Sequence, residues 1–232
     1  MNKIVTAGLA RNKFLFSSTK VTGSSYSEEG EDIIVSKFFR REYKGFYVDI
    51  GNFDKKTSNT FLFYKNGWRG LNIYCKPFDN SVTPIRTRDI NIYRIIDIQS
   101  HAQIIRTFNE SKMPVDDLTI SLNTPPLKTI KIEASPLHTI LKSNLPPRNG
   151  FLSDYVDIDI LNIDTTGNEL NILLSNNWKI FRPKIVLVTD TNNGGKFNPD
   201  SPVYQNLWSN DYVFFAKTSK TLIFREKHFQ NK

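Results

Sequence analysis

The sequence predicts an α/β fold: a mostly parallel sheet with helices on both faces and an antiparallel hairpin at its C-terminal end. Three observations carry that reading. Short apolar runs, the kind that buried strands leave, recur at 45–51, 70–75, 155–164 and 183–189. Segments with helical apolar spacing separate them, as a parallel sheet requires. The last two runs, 212–216 and 221–224, are joined only by Lys217-Thr-Ser-Lys220, the spacing of a hairpin.

The elements follow in order. The first 25 residues are polar and weakly periodic and read as a loosely held arm, ahead of one domain over 26–228. Ser27 followed by Glu28, Glu29 and Glu31 predicts a helix start, because a hydroxyl caps the first N–H groups and acids favour that end. Ile33, Ile34, the stem of Lys37 and Phe38 then share a face as far as Arg41. The first strand is 45–51. Residues 58–65 predict a helix with Phe61, Leu62 and Tyr64 inward and Asn66-Gly67 as its stop. A second strand over 70–75 ends at Lys76-Pro77, and a third covers 89–96.

Residues 102–109 read as a helix, 129–133 as a short strand and 136–142 as a helix, while Pro125-Pro126 excludes regular structure between them. The strand over 155–164 alternates apolar residues with Asp157, Asp159 and Asp164. Residues 167–178 form an amphipathic pattern through Leu170, Leu173, Leu174 and Trp178, with Ile172 flanking. The strand 183–189 and a short helix at 204–208 lead into the hairpin.

Composition narrows the function classes. The 232 residues are 39% apolar and 23% charged, which excludes collagen, low-complexity disorder and disulfide-stapled miniproteins. One cysteine, Cys75, forms no internal disulfide, and His101, His138 and His228 lack zinc spacing. No run approaches the roughly 18 apolar residues of a membrane span, and the expected address is the cytoplasm. The formal charge of +8 concerns anionic partners such as a membrane surface or RNA, with no nucleic-acid motif behind it. The densest basic cluster, Lys37, Arg40, Arg41 and Lys44, reads as a solvated helix end.

In an open α/β sheet, ligands sit beyond the carboxyl ends of the strands, so those ends matter most. The first, Asp49-Ile-Gly51-Asn52, pairs a carboxylate with a glycine that lets the backbone pass close to a ligand; a dinucleotide-binding glycine loop is absent. The second, Asp164-Thr-Thr-Gly167-Asn168-Glu169, again closes an apolar strand with an aspartate. Facing carboxylates at adjacent tips suit a ligand with hydroxyls, an amine or a sulfonium.

An ordered series of segments now carries a resemblance. Ser25-Tyr-Ser-Glu-Glu-Gly-Glu-Asp32, Gly45-Phe-Tyr-Val-Asp-Ile-Gly51 and Ser58-Asn-Thr-Phe-Leu-Phe-Tyr-Lys-Asn-Gly-Trp-Arg-Gly70 resemble the FkbM-like S-adenosylmethionine-dependent methyltransferases. So do Arg88-Asp-Ile-Asn91, Leu161-Asn-Ile-Asp164, Asn177-Trp178 and the ending around 215–224, with no match over about 98–128. The resemblance implies a Rossmann-like class I methyltransferase fold with a seven-stranded sheet. It implies S-adenosylmethionine held by Asp49, Gly51, Asn52, Tyr74, Asp97 and Asp164, with Asp164 also catalytic and Asn168 and Glu169 toward the acceptor. The acceptor class it implies is a hydroxylated small molecule, a glycan or glycan precursor, methylated on oxygen.

Two positions depart from the family pattern. Tyr74 stands where an acid that binds ribose is usual, and Thr166 where a glutamate is usual. They leave a second reading open, an inactive methyltransferase fold kept as a binding or scaffolding module.

Overall fold

The computed structural model describes residues 24–51, 58–74, 86–98, 103–108, 128–148, 154–165, 167–190 and 196–231. Seven strands form one sheet. They are β1 (Phe46–Gly51), β2 (Arg69–Tyr74), β3 (Ile90–Tyr93), β7 (Ile160–Asp164), β8 (Ile185–Thr189), β9 (Tyr212–Lys217) and β10 (Thr221–Glu226). Their order is β3-β2-β1-β7-β8-β10-β9. Pairing is parallel from β3 to β8, and β10 alone runs antiparallel to its neighbours. This is the mostly parallel, Rossmann-like sheet with an antiparallel C-terminal hairpin that the sequence predicts.

Two-sided burial explains why β1, β2, β7 and β8 are so apolar: each is covered on both faces. On one face Val48, Ile50, Leu71, Ile73, Leu161 and Val186 pack against α3 (Leu137–Asn144), α4 (Glu169–Leu174) and α5 (Pro202–Ser209). On the other face Tyr47, Ile160, Ile185, Leu187 and Ile223 pack against α1 (Glu31–Ser36), α2 (Phe61–Lys65) and the aromatic group of Phe38, Phe39 and Trp68. Among the described residues no helix is long and apolar enough to cross a membrane.

Several boundaries differ from the sequence expectation. The predicted third strand splits at Arg94 into β3 and β4 (Ile95–Ile96), and β4 leaves the main sheet to pair with β6 (Lys128–Ser135). The predicted helix over 102–109 is instead β5 (Gln103–Phe108), fully paired antiparallel with β6. Its β-branched Ile104, Ile105 and Thr107 suit a strand, and a partner strand decides what a short apolar run cannot. Helix α1 begins at Glu31, because Gly30 at φ +83° ends the preceding turn. The N-cap position is Gly30, yet the Ser27 hydroxyl accepts from the first-turn Asp32 N–H at 3.3 Å and donates to the Asp32 carboxylate at 2.9 Å.

Helix α2 starts at Phe61 and buries Phe63, whereas Phe61, Leu62 and Tyr64 are only partly covered. Helix α4 stops at Leu174, which is exposed, while Ile172 is fully buried. Strand β7 starts only at Ile160, because Asp159 turns back onto the start of β1 and its carboxylate accepts from the Phe46 N–H at 2.9 Å.

That buried carboxylate also accepts from the Tyr43 hydroxyl at 2.9 Å and from the Lys184 ammonium. Burial and the nearby Asp159 charge push the Tyr43 phenol pKa up. Asp159→Ala removes the acceptor for a backbone N–H, a phenol and an ammonium at once. We expect it to cost on the order of 3 kcal/mol in urea denaturation, with Asp159→Asn in between.

Candidate active site

Parallel register collects one residue from each strand at the carboxyl end of the sheet. Tyr93 pairs with Tyr74, Tyr74 with Gly51, and Gly51 with Asp164. Gly51 has φ +150°, and a Cβ there would collide with the Asp164 carbonyl oxygen. The glycine is therefore required by the close approach of β1 and β7 as well as by its own backbone angle. Tyr74 and Tyr93 stack with ring centroids 5.3 Å apart, making an aromatic shelf at the tips of β2 and β3. At the other side of the row, the Thr189 hydroxyl donates to Asp164 Oδ1 at 2.8 Å.

One register step below lies a polar row: Asn91, Asn72, Asp49 and Asn162. Asp49 is fully buried, and both its oxygens are engaged. Oδ1 accepts from Asn162 Nδ2 at 2.8 Å, and Oδ2 accepts from the Thr60 hydroxyl and from Arg86 Nη1 at 3.2 Å. Arg86 also donates to Thr60 Oγ1 at 2.6 Å, to Asn72 Oδ1 at 3.1 Å and to the Ser58 hydroxyl. Burial opposes its charge, but Asp49, Tyr47 and Asp89 outweigh it and raise the Arg86 pKa. Asn91 Nδ2 donates to the Arg86 and Asp89 carbonyls, so its Oδ1 faces Asn72 Nδ2 at 2.9 Å and the Tyr74 hydroxyl at 3.2 Å. The buried layer thus links all four strands beneath the tips.

The segment from Ser25 to Asp32 runs between the two sides of this row. On one side the Tyr26 carbonyl accepts from the Ser58 N–H at 2.8 Å, and its ring meets Phe61 edge-on. On the other, Glu31 accepts from the Thr218 and Thr221 hydroxyls, both at 3.0 Å, and Glu28 pairs with Lys220 at 2.8 Å. Hydroxyls of Thr218 and Ser219, with the Lys220 N–H, hold the Glu29 pKa down to about 2. The acids that looked like helix-end residues are therefore a carboxylate group beside Asp164. Loss of water contacts, with Asp49, Glu28 and Glu31 nearby, pushes the Asp164 pKa above its ordinary value although Thr189 pulls the other way.

The remaining predicted residues fall in different places. Asp97 follows β4, where its N–H reaches the Ser135 carbonyl at 3.3 Å. Glu169 is buried and accepts from the Thr165 hydroxyl at 3.1 Å and the Gly167 N–H at 3.2 Å, bracing the turn into α4; burial raises its pKa. Asn168 donates to the Ile96 carbonyl at 2.9 Å and so ties β4 to the same turn. Asn52, Thr166, Cys75 and His101 lie outside the described residues. Arg40 and Lys44 sit at the opposite end of the sheet, where Lys44 Nζ donates to the Asn66 carbonyl ahead of β2.

Arg86, Thr189 and the asparagines were not singled out from the sequence, yet a signal for the asparagines exists. Val48-Asp-Ile-Gly51, Leu71-Asn-Ile-Tyr74, Ile90-Asn-Ile-Tyr93 and Leu161-Asn-Ile-Asp164 repeat one pattern, an apolar residue, Asp or Asn, Ile, then the tip residue. Aligned strands carrying that repeat must stack the polar residues in one row.

The raised Asp164 pKa has a signed consequence. A carboxyl with an elevated folded pKa costs stability once ionised, that is, as pH rises through the folded value. Asp164→Asn, which keeps the acceptor for Thr189, should therefore raise the melting temperature at pH 8. The gain should vanish below about pH 3, where the acid is neutral in both states.

Residues 49–214, well over half of the chain, match the Methyltransferase FkbM domain. No curated protein and no solved structure matches the chain. The domain match begins at Asp49, the centre of the buried layer, and runs through Asp164 into β9, and the chain belongs to the FkbM methyltransferase family.

Proposed function

We propose that this protein is an S-adenosylmethionine-dependent O-methyltransferase whose acceptor is a glycan or glycan precursor, with Asp164 at the reacting centre. The observation that carries this reading is the Asp164 carboxylate at the tip row, oriented by Thr189 and raised in pKa among other acids. Membership of the FkbM family implies a methyl transfer to a small-molecule acceptor, and the family generally uses S-adenosylmethionine.

The donor set fits that cofactor at its cationic end. Asp164 stands beside Gly51 with Glu28 and Glu31 close enough to act on it, a negative field that suits an ammonium or sulfonium, and the Tyr74–Tyr93 shelf offers a flat aromatic surface. At the ribose end the tip of β2 offers a phenol in place of a carboxylate, so one neutral hydrogen bond replaces a charged bidentate pair there. When bound, the cofactor supplies a methyl carbon made electrophilic by its sulfonium.

The chain supplies orientation and a base. Thr189 bonds Asp164 Oδ1, and among the described residues no hydrogen bond is made to Oδ2, the oxygen that takes the proton from an acceptor hydroxyl. A raised pKa makes that carboxylate a better proton acceptor than an ordinary aspartate. Carboxylates at the rim accept hydrogen bonds from sugar hydroxyls and repel anions, which favours a neutral, hydroxylated acceptor.

Calorimetric titration with S-adenosylmethionine and with S-adenosylhomocysteine tests the reading. We expect both to bind, and Asp164→Asn to keep S-adenosylhomocysteine affinity within about threefold while methyl transfer falls about a hundredfold or more. Tyr74→Glu restores the acid at β2 and should tighten both ligands by about tenfold. No heat from either ligand at millimolar concentration would overturn the enzyme reading and leave the fold as a binding module.

A further inference from the structure

One buried charged group beneath the tips has no part in the scheme above. Arg86 is 6% exposed, caged by the rings of Tyr47 at 5.4 Å and Phe61 at 5.6 Å. Its guanidinium bridges β1 through Asp49, β2 through Asn72, and the start of the α2 segment through Ser58 and Thr60. Of those four acceptors only Asp49 carries a charge, and the pair is an ion pair between side chains 7% and 0% exposed. A second acid, Asp89, lies one register row further from the tips and accepts from Tyr47, Asn72 and the Gly70 N–H.

We propose that Arg86 is a specificity-determining residue: by neutralising Asp49 it sets the charge of the floor of the cofactor site, and with it the balance between the sulfonium cofactor and its neutral demethylated product. The proposal rests on the function read above. Asp49 lies two residues before Gly51 on the same strand face, roughly 6–7 Å along the strand from the tip. S-adenosylmethionine and S-adenosylhomocysteine differ in one positive charge and one methyl group. A uniform change in packing alters the binding of both alike. A change in the floor charge acts only on their difference.

In the floor Arg86 contacts Asp49 directly, so Asp49 adds little pull on a sulfonium, and the second acid, Asp89, lies a row further from the tips. That pull is left to Asp164 and to the acids of the 25–32 segment, where Glu31 is buried against the Thr218 and Thr221 hydroxyls and Glu28 pairs with Lys220. A site whose Asp49 is compensated releases its cofactor and its product on more similar terms. A site with an uncompensated Asp49 would hold the cofactor in preference.

The test is the ratio of the two dissociation constants, measured by calorimetry on folded protein. Arg86→Met leaves Asp49 unpaired and should shift the ratio about tenfold toward S-adenosylmethionine, the order expected for one charge acting over roughly 10 Å at an effective dielectric near 20. Asp49→Asn is isosteric and leaves Arg86 unpaired, so it should shift the ratio by a similar factor the other way. It keeps the question answerable if Arg86→Met does not fold. Arg86→Lys keeps the charge and should leave the ratio where it is, even if both affinities fall. Opposite shifts in the two charge-altering variants, or the predicted shift in the one that folds, bear the proposal out. A ratio unchanged while both affinities fall would reduce Arg86 to a structural brace and sink the proposal. Absence of binding of both ligands to the unaltered protein would instead overturn the function reading itself.

Discussion

A carboxylate buried in the middle of a parallel sheet has to be answered by donors, and much of the architecture near the strand tips answers Asp49. Asn162 meets one oxygen from β7, while Thr60 and Arg86 meet the other from the two connections that follow β1 and β2. Left unanswered, such a charge would cost several kcal/mol, enough to threaten a domain of ordinary stability. Arg86 in turn needs acceptors, and Asn72, Thr60 and Ser58 supply them. The network extends through Asn72 and Asn91 to Tyr74, so the side chain at the tip of β2 is placed by a chain of bonds that begins at β1.

The rest of the site depends on that layer mechanically. Ser58 and Thr60, gripped by Arg86 and Asp49, fix where the chain re-enters after the β1 tip. The Ser58 N–H then anchors Tyr26, and Tyr26 leads into the acidic segment that ends at Glu31 and the β9–β10 hairpin. Carboxylates from two distant parts of the sequence, Asp49 and the Glu28–Glu31 turn, are thereby brought near Asp164. Lost hydration, with the repulsion of these neighbours, raises the Asp164 pKa.

Much of this was legible before the structure. The strands at 45–51, 70–75 and 183–189 were readable because both faces of a parallel sheet are buried, and a run of apolar residues has no other easy home. That Asp49, Gly51 and Asp164 stand at adjacent strand ends followed from where the apolar runs stop, whereas Tyr74 was named only through the family resemblance. The segment 103–108 was misread as a helix, because a short apolar run has no distinct period and only pairing with β6 decides it. Ser27 and the glutamates after it were read as a helix cap. Their bonds to Asp32, Thr218, Thr221 and Lys220 lie partly within the turn and partly some 190 residues away, beyond any local rule.

The sequence by itself determined the kind of sheet, the polar residues that must share a row, and the acids that end the strands. All of these follow from local periodicity and from the two-residue repeat of a strand. Only the tertiary structure decided how the charges are matched: that Asp49 belongs to Arg86, that Glu31 belongs to the hairpin, and that Glu169 braces its own turn. The physical reason is that charge pairing depends on distance and burial. Both are set by how separate strands and loops assemble, and neither is written in the spacing of residues along the chain.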